Sequence, residues 1–253
     1  MILLLLVSLL VGLYLLFVLP TQWLKIERVR YPLGLNCKIL QISDIHVERL
    51  RISPEKLAEV IARESPDYIF LTGDFTKRDA YLRRLERYFA VFRDSSRPIY
   101  AVLGNHDYRL SSLDTLLAIM RRHGVTLLKN ESVSTGDFQL IGIDDYGTHH
   151  DDIAASFRRV DDRRPRLVIS HDPNVVLAID RPFDYMMGGH FHGKQFNLPF
   201  LYNLKPMGEL PKRGIYKGLH RTPWGTYYIS KGIGQTGFNI RLFVRSEITV
   251  HYV

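Results

Sequence analysis

Five short polar clusters in this sequence carry side chains that bind metal ions. Each cluster directly follows a short apolar run of the kind that forms a buried strand. In chain order they are Asp44-Ile45-His46, Gly73-Asp74, Gly104-Asn105-His106-Asp107, His171-Asp172 and Gly189-His190-Phe191-His192-Gly193. Ligands of α/β proteins gather at the carboxyl ends of strands, so clusters scattered over about 150 residues of sequence can converge on one site.

The donors in these clusters are imidazole nitrogens, carboxylate oxygens and an amide oxygen, without a thiolate. This mixture suits Mn²⁺, Fe or Zn²⁺ better than a soft ion. The donors outnumber the needs of one ion, whereas two ions about 3.5–4 Å apart that share a carboxylate would use them all. Asp74 is the best candidate for the shared carboxylate, because it stands alone at its strand end.

The sequence around the clusters alternates short apolar runs with amphipathic helices, which predicts an α/β fold. Predicted strands are 38–42, 68–71, 99–103, 138–143, 166–170 and 184–187, and the chain after about residue 210 is rich in strands. Ser53-Pro54 predicts a helix start, since serine is a good N-cap and proline fits the first helical position. Ser65-Pro66 predicts the end of that helix.

Taken together, the motifs resemble those of the calcineurin-like metallophosphoesterases. The family pattern is D-x-H, G-D, G-N-H-D/E, H and G-H-x-H. This chain has DIH, GD, GNHD, SHD and GHFH in the same order. Each motif alone is weak, but five in order at strand ends are specific. The resemblance covers residues 38 to about 252, and it points to the bacterial membrane-associated YkuE/YaeI-like branch, with UDP-diacylglucosamine hydrolases as more distant relatives.

The resemblance implies an αββα sandwich of two mixed β-sheets flanked by helices. It also implies two divalent metal ions, with Mn²⁺ favoured and Fe or Zn²⁺ as alternatives. The first ion would be held by Asp44, His46, Asp74 and His192, and the second by Asp74, Asn105, His171 and His190.

The same resemblance implies that His106 and Asp107 are catalytic residues. His106 would face the substrate, and Asp107 would orient its imidazole. A water held between two dications loses a proton near neutral pH and attacks phosphorus in line. His106 would protonate the leaving oxygen or stabilise the developing charge.

The last motif departs from the family pattern. Relatives often carry small residues in a GHTHGGQ-like sequence, whereas this chain has GHFHGKQ. Lys194 is therefore a candidate substrate-binding residue whose charge would pair with a phosphate, the alternative being a lysine directed to solvent. Phe191 is expected to narrow the mouth of the site.

Composition restricts the classes of protein that the chain can be. Its 253 residues are 46% hydrophobic and 24% charged, which excludes a disordered chain. Lys and Arg number 34 against 26 Asp and Glu, a net charge of +8 that suits nucleic acid, acidic lipid or phosphorylated substrates without choosing among them. Cys37 is the single cysteine, so an intrachain disulfide and a cysteine-based zinc site are excluded.

Residues 1–19 carry no charged side chain. As a helix they span ~28 Å, close to the ~30 Å hydrocarbon core of a bilayer. A cleaved signal peptide would have basic residues before the apolar run and small residues at a cleavage site, and this segment has neither. The sequence therefore predicts a transmembrane helix that Pro20 ends.

Three regions follow from this pattern: a membrane anchor over 1–20, a linker over 21–37 and a phosphoesterase domain over 38–253. Lys25, Arg28 and Arg30 all follow the anchor. By the positive-inside rule they place the domain on the cytoplasmic face of the cell membrane.

We therefore expect a membrane-anchored phosphoesterase that uses two metal ions to hydrolyse phosphate mono- or diesters. The anchor favours a lipid-linked phosphate or diphosphate, and the loop 197–213 is expected to rest on anionic lipid. One alternative is a nuclease or nucleotide phosphodiesterase, although nucleic acid is the less favoured partner. The other is a non-catalytic, membrane-attached interaction module. The sequence leaves the oligomeric state and the physiological substrate open.

Overall fold

Two six-stranded β-sheets pack face to face, and helices cover the outer face of each. The structure is a computed structural model that describes residues 1–161, 163–198 and 207–253. Both sheets mix parallel and antiparallel strand pairs. The α/β sandwich with two mixed sheets, expected from the sequence, is confirmed.

The described residues form short strands, with helices of about one to four turns around them. The strands are β1 (Lys25–Arg30), β2 (Lys38–Ile42), β3 (Tyr68–Thr72), β4 (Ile99–Val102), β5 (Val125–Leu127), β6 (Glu131–Ser134), β7 (Gln139–Ile143), β8 (Arg166–Ser170), β9 (Tyr185–Gly188), β10 (Gly218–Thr222), β11 (Gly225–Ile229) and β12 (Glu247–Tyr252). The helices are α1 (Ile2–Leu13), α2 (Leu19–Gln22), α3 (Pro54–Glu64), α4 (Leu82–Asp94), α5 (Leu113–Arg122), α6 (Ile153–Phe157) and α7 (Glu209–Lys212).

The strand order explains why the polar clusters meet. The first sheet has the order β1-β12-β2-β3-β4-β5, and the second has the order β10-β11-β9-β8-β7-β6. Strands β2 to β5 run parallel in the first sheet, as do β7, β8, β9 and β11 in the second. All the polar clusters follow parallel strands, so within each sheet they emerge at one edge.

Alternate residues of the central strands pack on opposite faces of their sheet. In the first sheet Ile39 and Phe70 lie in the layer between the sheets, whereas Leu40 lies in the core beneath α3 to α5. In the second sheet Leu167 faces the central layer and Val168 the outer one. Successive side chains of a strand point to opposite faces, so strands covered on both faces must be apolar almost throughout.

Helix α3 begins and ends where the sequence predicts. Ser53 is its N-cap, and the Ser53 hydroxyl accepts a hydrogen bond from the Lys56 N–H at 3.2 Å. Pro54 takes the first helical position, where its missing N–H leaves no bond unmade. Ser65 ends the helix in the left-handed conformation with φ of 44°, directly before a proline that cannot continue it.

Strand β1 lies inside the segment 21–37 that the sequence predicts to be a linker. It pairs in parallel with β12 and forms the edge of the first sheet. Its residues, KIERVR, are mostly charged because an edge strand is only partly covered. The sequence therefore has no apolar pattern there that would predict a strand. The folded unit therefore begins before residue 38.

The chain begins with one helix, Ile2–Gln22, that is long and apolar enough to cross a membrane. Its apolar stretch is not buried inside the protein. The helix continues through Pro20, although the sequence predicts that this residue ends it. A π-helical turn over Tyr14–Val18 precedes the proline, and Leu19 N–H bonds the Tyr14 carbonyl across it. Such a widened turn is one of the ways in which a helix accommodates a local irregularity.

We expect Leu85→Ala to lower the free energy of unfolding by about 2–5 kcal/mol, because the substitution leaves a cavity in a fully buried core. Leu85 lies on α4, is 0% exposed and packs in the core beneath the first sheet. Chemical denaturation of the detergent-solubilised chain measures the change. Arg83→Ala on the exposed face of α4 is the matched control, with an expected change within about 0.5 kcal/mol. Equal values for the two variants would contradict this packing.

Candidate metal centre

The loops after β2 and β3 are bonded to each other, and this brings the first two clusters together. Asp44 N–H donates to the Gly73 carbonyl at 3.1 Å, and His46 N–H donates to the Asp74 carbonyl at 2.9 Å. Backbone pairing thus continues past the ends of both strands. The side chains of Asp44, His46 and Asp74 are held beside one another as a result, all at most 2% exposed.

The Asp74 carboxylate lies at the centre of the site. Its Oδ2 atom is 3.3 Å from His46 Nε2 and 3.3 Å from His171 Nε2. Its Oδ1 atom accepts a hydrogen bond from the His106 N–H at 2.8 Å. One carboxylate oxygen therefore faces imidazoles from both sheets, which is the position that a shared ligand requires.

One group of ligand atoms lies on the His46 side of Asp74. Asp44, His46 and His192 each offer an atom, and these atoms lie within 4.8 Å of one another. His46 Nε2 is 3.2 Å from His192 Nε2, and His192 Nε2 is 3.4 Å from Asp44 Oδ1. His192 comes from the second sheet and Asp44 from the first, so packing of the two sheets assembles this group.

A second group lies on the His171 side of Asp74. Asp74, His171 and His190 offer atoms within 4.8 Å of one another, and His171 Nε2 is 3.0 Å from His190 Nδ1. His171 Nδ1 donates to the Thr72 carbonyl at 2.9 Å, which directs the Nε2 atom toward Asp74. Asn105 Oδ1 is buried and has no hydrogen-bond partner among the described residues.

These residues fit a pair of divalent ions. Imidazole nitrogens that face each other at about 3 Å need a proton or a cation between them, and the His46–His192 and His171–His190 pairs both do so. A buried amide oxygen without a partner is costly unless an ion or water meets it. The donor set is that of Mn²⁺, Fe or Zn²⁺.

The protonation of the histidines follows their surroundings. Burial lowers the pKa of His46 and of His192 well below the ordinary value. Burial, followed by the charge of His171, lowers the pKa of His190 to about 4. Burial also lowers the pKa of His171, but the charge and hydrogen bond of Asp74 raise it well above the ordinary value. Three imidazoles are therefore neutral at pH 7, as ligation requires, and His171 carries a proton in the metal-free protein.

Several candidate ligands have a backbone conformation that side chains rarely adopt. The φ angle is 55° at Asp44, 39° at His46, 58° at Asp74, 71° at His190 and 49° at His192. A positive φ at a residue other than glycine costs of order 1–3 kcal/mol and persists where the surrounding structure holds it. The sharp turns after the strands direct these side chains toward one another, and the strained backbone is the energetic cost of that arrangement.

Ser43 supports the site but is not predicted from the sequence, because a serine hydroxyl beside an aspartate does not look like a metal ligand. Ser43 Oγ donates to Asp44 Oδ2 at 2.6 Å and fixes that carboxylate. A Cβ atom at Gly189 would collide with Ser43 Oγ, so the residue before His190 must be glycine. The polar residue before the D-x-H motif was the available signal for Ser43.

Asp107 contacts backbone N–H groups through its carboxylate, whereas the sequence predicts that it orients the His106 imidazole. Its carboxylate accepts backbone N–H bonds from Asp74, Phe75, Thr76 and Gly104 at 2.8–3.1 Å. It does not bond the His106 imidazole, whose Nδ1 atom is buried without a partner among the described residues. Asp107 therefore joins the loops after β3 and β4, because their turning backbones leave N–H groups that a carboxylate can satisfy.

His106 lies beside both histidine groups. Its ring is 4.7 Å from the His46 ring, centroid to centroid, in an edge-on arrangement. A ligand atom of His106 also lies within 4.8 Å of those of His46 and Asp74. Burial lowers the pKa of His106, so its imidazole is neutral near pH 7. It remains the candidate catalytic residue.

The two other predictions near the last motif have different outcomes. Lys194 Nζ lies 4.2 Å from the centre of the Tyr216 ring, a cation–π contact. Phe191 does not narrow the mouth: it is 1% exposed and packs in the core outside the second sheet. Part of the loop predicted to rest on lipid, 197–213, lies outside the described residues, which leave out 199–206.

A sandwich of two mixed sheets with this donor set where their strands end is the architecture of a metal-dependent phosphoesterase. The model of the calcineurin-like phosphoesterase family matches residues 37–194, more than half of the chain, and the protein belongs to that family. The family predicted from the motifs is thus confirmed, and with it a phosphoester hydrolase that depends on divalent metal ions.

Relatives agree with this membership. The chain is 38% identical over 231 residues to the metallophosphoesterase YkoQ of Bacillus subtilis, covering 88% of this chain and 85% of that protein. It is 28% identical over 230 residues to the phosphodiesterase YaeI of Escherichia coli, covering 84% and 80%. A solved structure of a dimetal phosphatase from Danio rerio has a TM-score of 0.50 at 13% identity, covering 78% of this chain and 88% of the other, a likeness of fold alone.

Metal binding should strengthen as pH rises from 6 to 8. A metal ion at this site must displace the proton that Asp74 helps His171 to hold, so affinity should rise up to about tenfold per pH unit for each proton released. Calorimetric titration of the chain with Mn²⁺ in buffers of different ionisation enthalpy counts these protons. His171→Asn should release one proton fewer. An affinity independent of pH in this range would contradict the assignment.

Asp107→Asn should destabilise the fold as well as weaken metal binding. An amide offers one acceptor oxygen where the carboxylate offers two, so buried N–H groups lose their partner at about 1–3 kcal/mol each. Thermal unfolding and Mn²⁺ titration measure the two effects. His106→Ala, which breaks no side-chain hydrogen bond of the described structure, is the comparison and should keep its stability. Unchanged stability in Asp107→Asn would restore the orienting role.

Proposed function

We propose that this protein is a membrane-anchored phosphoesterase that uses two metal ions and acts on lipid-linked phosphate or diphosphate. The observation that carries the two-metal part is the position of Asp74 Oδ2, at 3.3 Å from an imidazole on each side. We assign the first ion to Asp44, His46, Asp74 and His192, and the second to Asp74, Asn105, His171 and His190. Mn²⁺ is the proposed ion, given the nitrogen and oxygen donors.

When bound, two such ions lower the pKa of water and neutralise phosphate oxygens. The chain's own residues prepare this chemistry. Thr72 and Ser43 hold His171 and Asp44 in place through hydrogen bonds at 2.9 and 2.6 Å. Because these contacts exist before a substrate arrives, the ligands need not reorganise during the reaction.

His106 is the proposed catalytic side chain. It is partly exposed, and its neutral imidazole retains one N–H that can donate a hydrogen bond to a leaving or phosphate oxygen. Lys194 is the proposed phosphate contact. It lies two residues along the chain from His192, its Nζ atom lies 4.2 Å from the centre of the Tyr216 ring, and its charge would pair with a phosphate. Asp107 acts through the loops that it joins and is not among the groups that touch substrate.

The organic part of a substrate has room beside the second group of candidate ligands, which includes His190. A cavity of about 470 Å³ borders His190 and is lined on its other sides by Tyr146, Asn174, Met207 and Lys212. Asp172 and Glu209 line it as well, and Lys212 is paired with Glu209 at 3.2 Å, so the cavity wall mixes apolar, acidic and basic groups. A cavity of this size has room for the organic group of a phosphoester.

Membrane attachment rests on the N-terminal helix. Ile2–Gln22 is long enough to span a bilayer, and its apolar stretch is not buried in the protein. Lys25, Arg28 and Arg30 directly after it favour a cytoplasmic domain. An anchored site has a raised effective concentration toward substrates in the same membrane, which is why we propose a lipid-linked phosphoester.

The full chain should hydrolyse an aryl phosphodiester in detergent when Mn²⁺ is supplied. Asn105→Ala and His106→Ala should each lower turnover by roughly 10²–10⁴-fold, because one removes a proposed ligand and the other a proton donor. The full chain is required, since Thr21 at the end of the anchor is completely buried against the domain. His220→Ala, on strand β10, is the matched control and should retain activity.

Near-wild-type turnover in both site variants would refute the assignment of the site. A panel of substrates separates the remaining alternatives. A nuclease would show a steep fall in affinity with salt, because it releases counterions from the nucleic acid. An interaction module would turn over none of the phosphoesters, with or without Mn²⁺.

A further inference from the structure

The loop over residues 236–245, here called the interfacial loop, carries the most exposed aromatic side chains of the described domain. Phe238 is 74% exposed and Phe243 is 67% exposed. Trp23, at the end of the N-terminal helix, is 57% exposed. Large apolar side chains grouped on one surface mark a contact with a partner or a membrane.

The interfacial loop lies against the last turns of the N-terminal helix. Arg241 N–H donates to the Phe17 carbonyl at 3.0 Å, and Ser246 N–H, just after the loop, donates to the Pro20 carbonyl at 2.9 Å. Phe17 still belongs to the apolar run that ends at residue 19. A bilayer that accommodates this run must therefore end at the level of the interfacial loop.

The polar groups around the loop suit the headgroup region. The Arg245 guanidinium lies 3.8 Å from the centre of the Trp23 ring. It also donates to the Trp23 carbonyl at 3.1 Å and to the Leu24 carbonyl at 3.2 Å. Tryptophan and arginine are the side chains enriched where a bilayer meets water. This pair lies at the end of the helix, next to the loop.

Direct bonds connect the interfacial loop to the candidate metal centre. Gln195, three residues after His192, donates from Nε2 to the carbonyls of Thr236 and Phe238, both at 2.9 Å. Its Oε1 atom accepts the Thr236 N–H at 3.0 Å. Leu242 N–H donates to the Gln195 carbonyl at 2.9 Å. The loop and the last ligand motif are therefore bonded along one segment.

A fully buried arginine makes the same connection on the other side. Arg241 is 0% exposed, and its Nη2 atom donates to the carbonyls of Lys231, Gly232 and Gly234 at 2.6–2.9 Å. Gly232 packs directly against the Asp44 side chain. These bonds fix the interfacial loop relative to the candidate metal centre. The orientation of the loop therefore sets the orientation of the metal centre.

We propose that the interfacial loop inserts Phe238 and Phe243 into the same leaflet in which the N-terminal helix ends. The helix and loop then form two membrane contacts, which hold the metal centre at the bilayer surface in one orientation toward lipid phosphoesters. The continuity of the loop with the helix argues for the bilayer as the occupant of this surface. The inference rests on the proposed membrane function and specifies how the site meets its substrate.

Spin labels on the full chain test the depth of the loop. In a Cys37→Ser background, Phe238→Cys or Phe243→Cys is labelled and the protein is reconstituted into phosphatidylcholine–phosphatidylglycerol vesicles. Labels in the bilayer should be more accessible to oxygen than to a water-soluble nickel complex. Leu219→Cys on β10, 45% exposed, is the apolar control and should show the reverse. Water-like accessibility at both loop positions, or spin–spin broadening from a second copy, would overturn the proposal.

Enzyme activity provides an independent test of the proposed membrane contact. Phe238→Ser with Phe243→Ser should lower turnover of a phospholipid phosphoester in vesicles by roughly tenfold, through lost positioning at the surface. The double variant should turn over a soluble aryl phosphodiester at the parent's rate. The control variant Leu219→Ser should turn over both substrates at the parent's rate. Equal turnover of the vesicle substrate by the double variant and the parent would reject the inference. If the parent shows no Mn²⁺-dependent turnover of either substrate, the proposed function is refuted instead. The spin-label measurement does not depend on enzyme activity, so it tests the membrane contact by itself.

Discussion

A buried carboxylate between two pairs of imidazoles is the feature on which the site depends. Asp74 is 2% exposed, and an isolated carboxylate so deep in a protein would be unstable without compensating charge. His171 supplies that charge in the metal-free protein, because each group favours the ionised form of the other. Divalent ions would supply it more fully. The sandwich must therefore bring both sheets to this carboxylate.

The strands form a rigid frame, and the loops after them orient the side chains of the candidate ligands. Left-handed residues such as Asp44, Asp74 and His190 turn the chain sharply at the strand ends, and paired sheets on both sides hold these costly conformations. Asp107 contributes by satisfying the N–H groups that the turns leave unpaired. The polar motif Gly104-Asn105-His106-Asp107 thus contains both a candidate ligand and a residue that shapes the backbone, and spacing cannot separate the two kinds.

The N-terminal helix belongs to the folded unit and is not a tether on a flexible linker. Thr21 is completely buried, and β1 adds a strand to the first sheet three residues after the helix ends at Gln22. The interfacial loop packs on the same helix and bonds the segment after His192. Helix, sheet edge and metal centre therefore have one fixed relation, which a long linker would have lost.

The sequence alone determined the family, the strands that carry the polar clusters and the start of α3, because strand periodicity, N-caps and metal-ligand types are local properties. It did not reveal β1, whose charged residues carry no apolar pattern, nor the continuation of the first helix through Pro20. It also did not reveal the backbone partners of the Asp107 carboxylate, since the sequence does not show which group a carboxylate will meet. Only the packing of the two sheets decided that Asp74 lies between His46 and His171, because that contact joins residues distant in the chain.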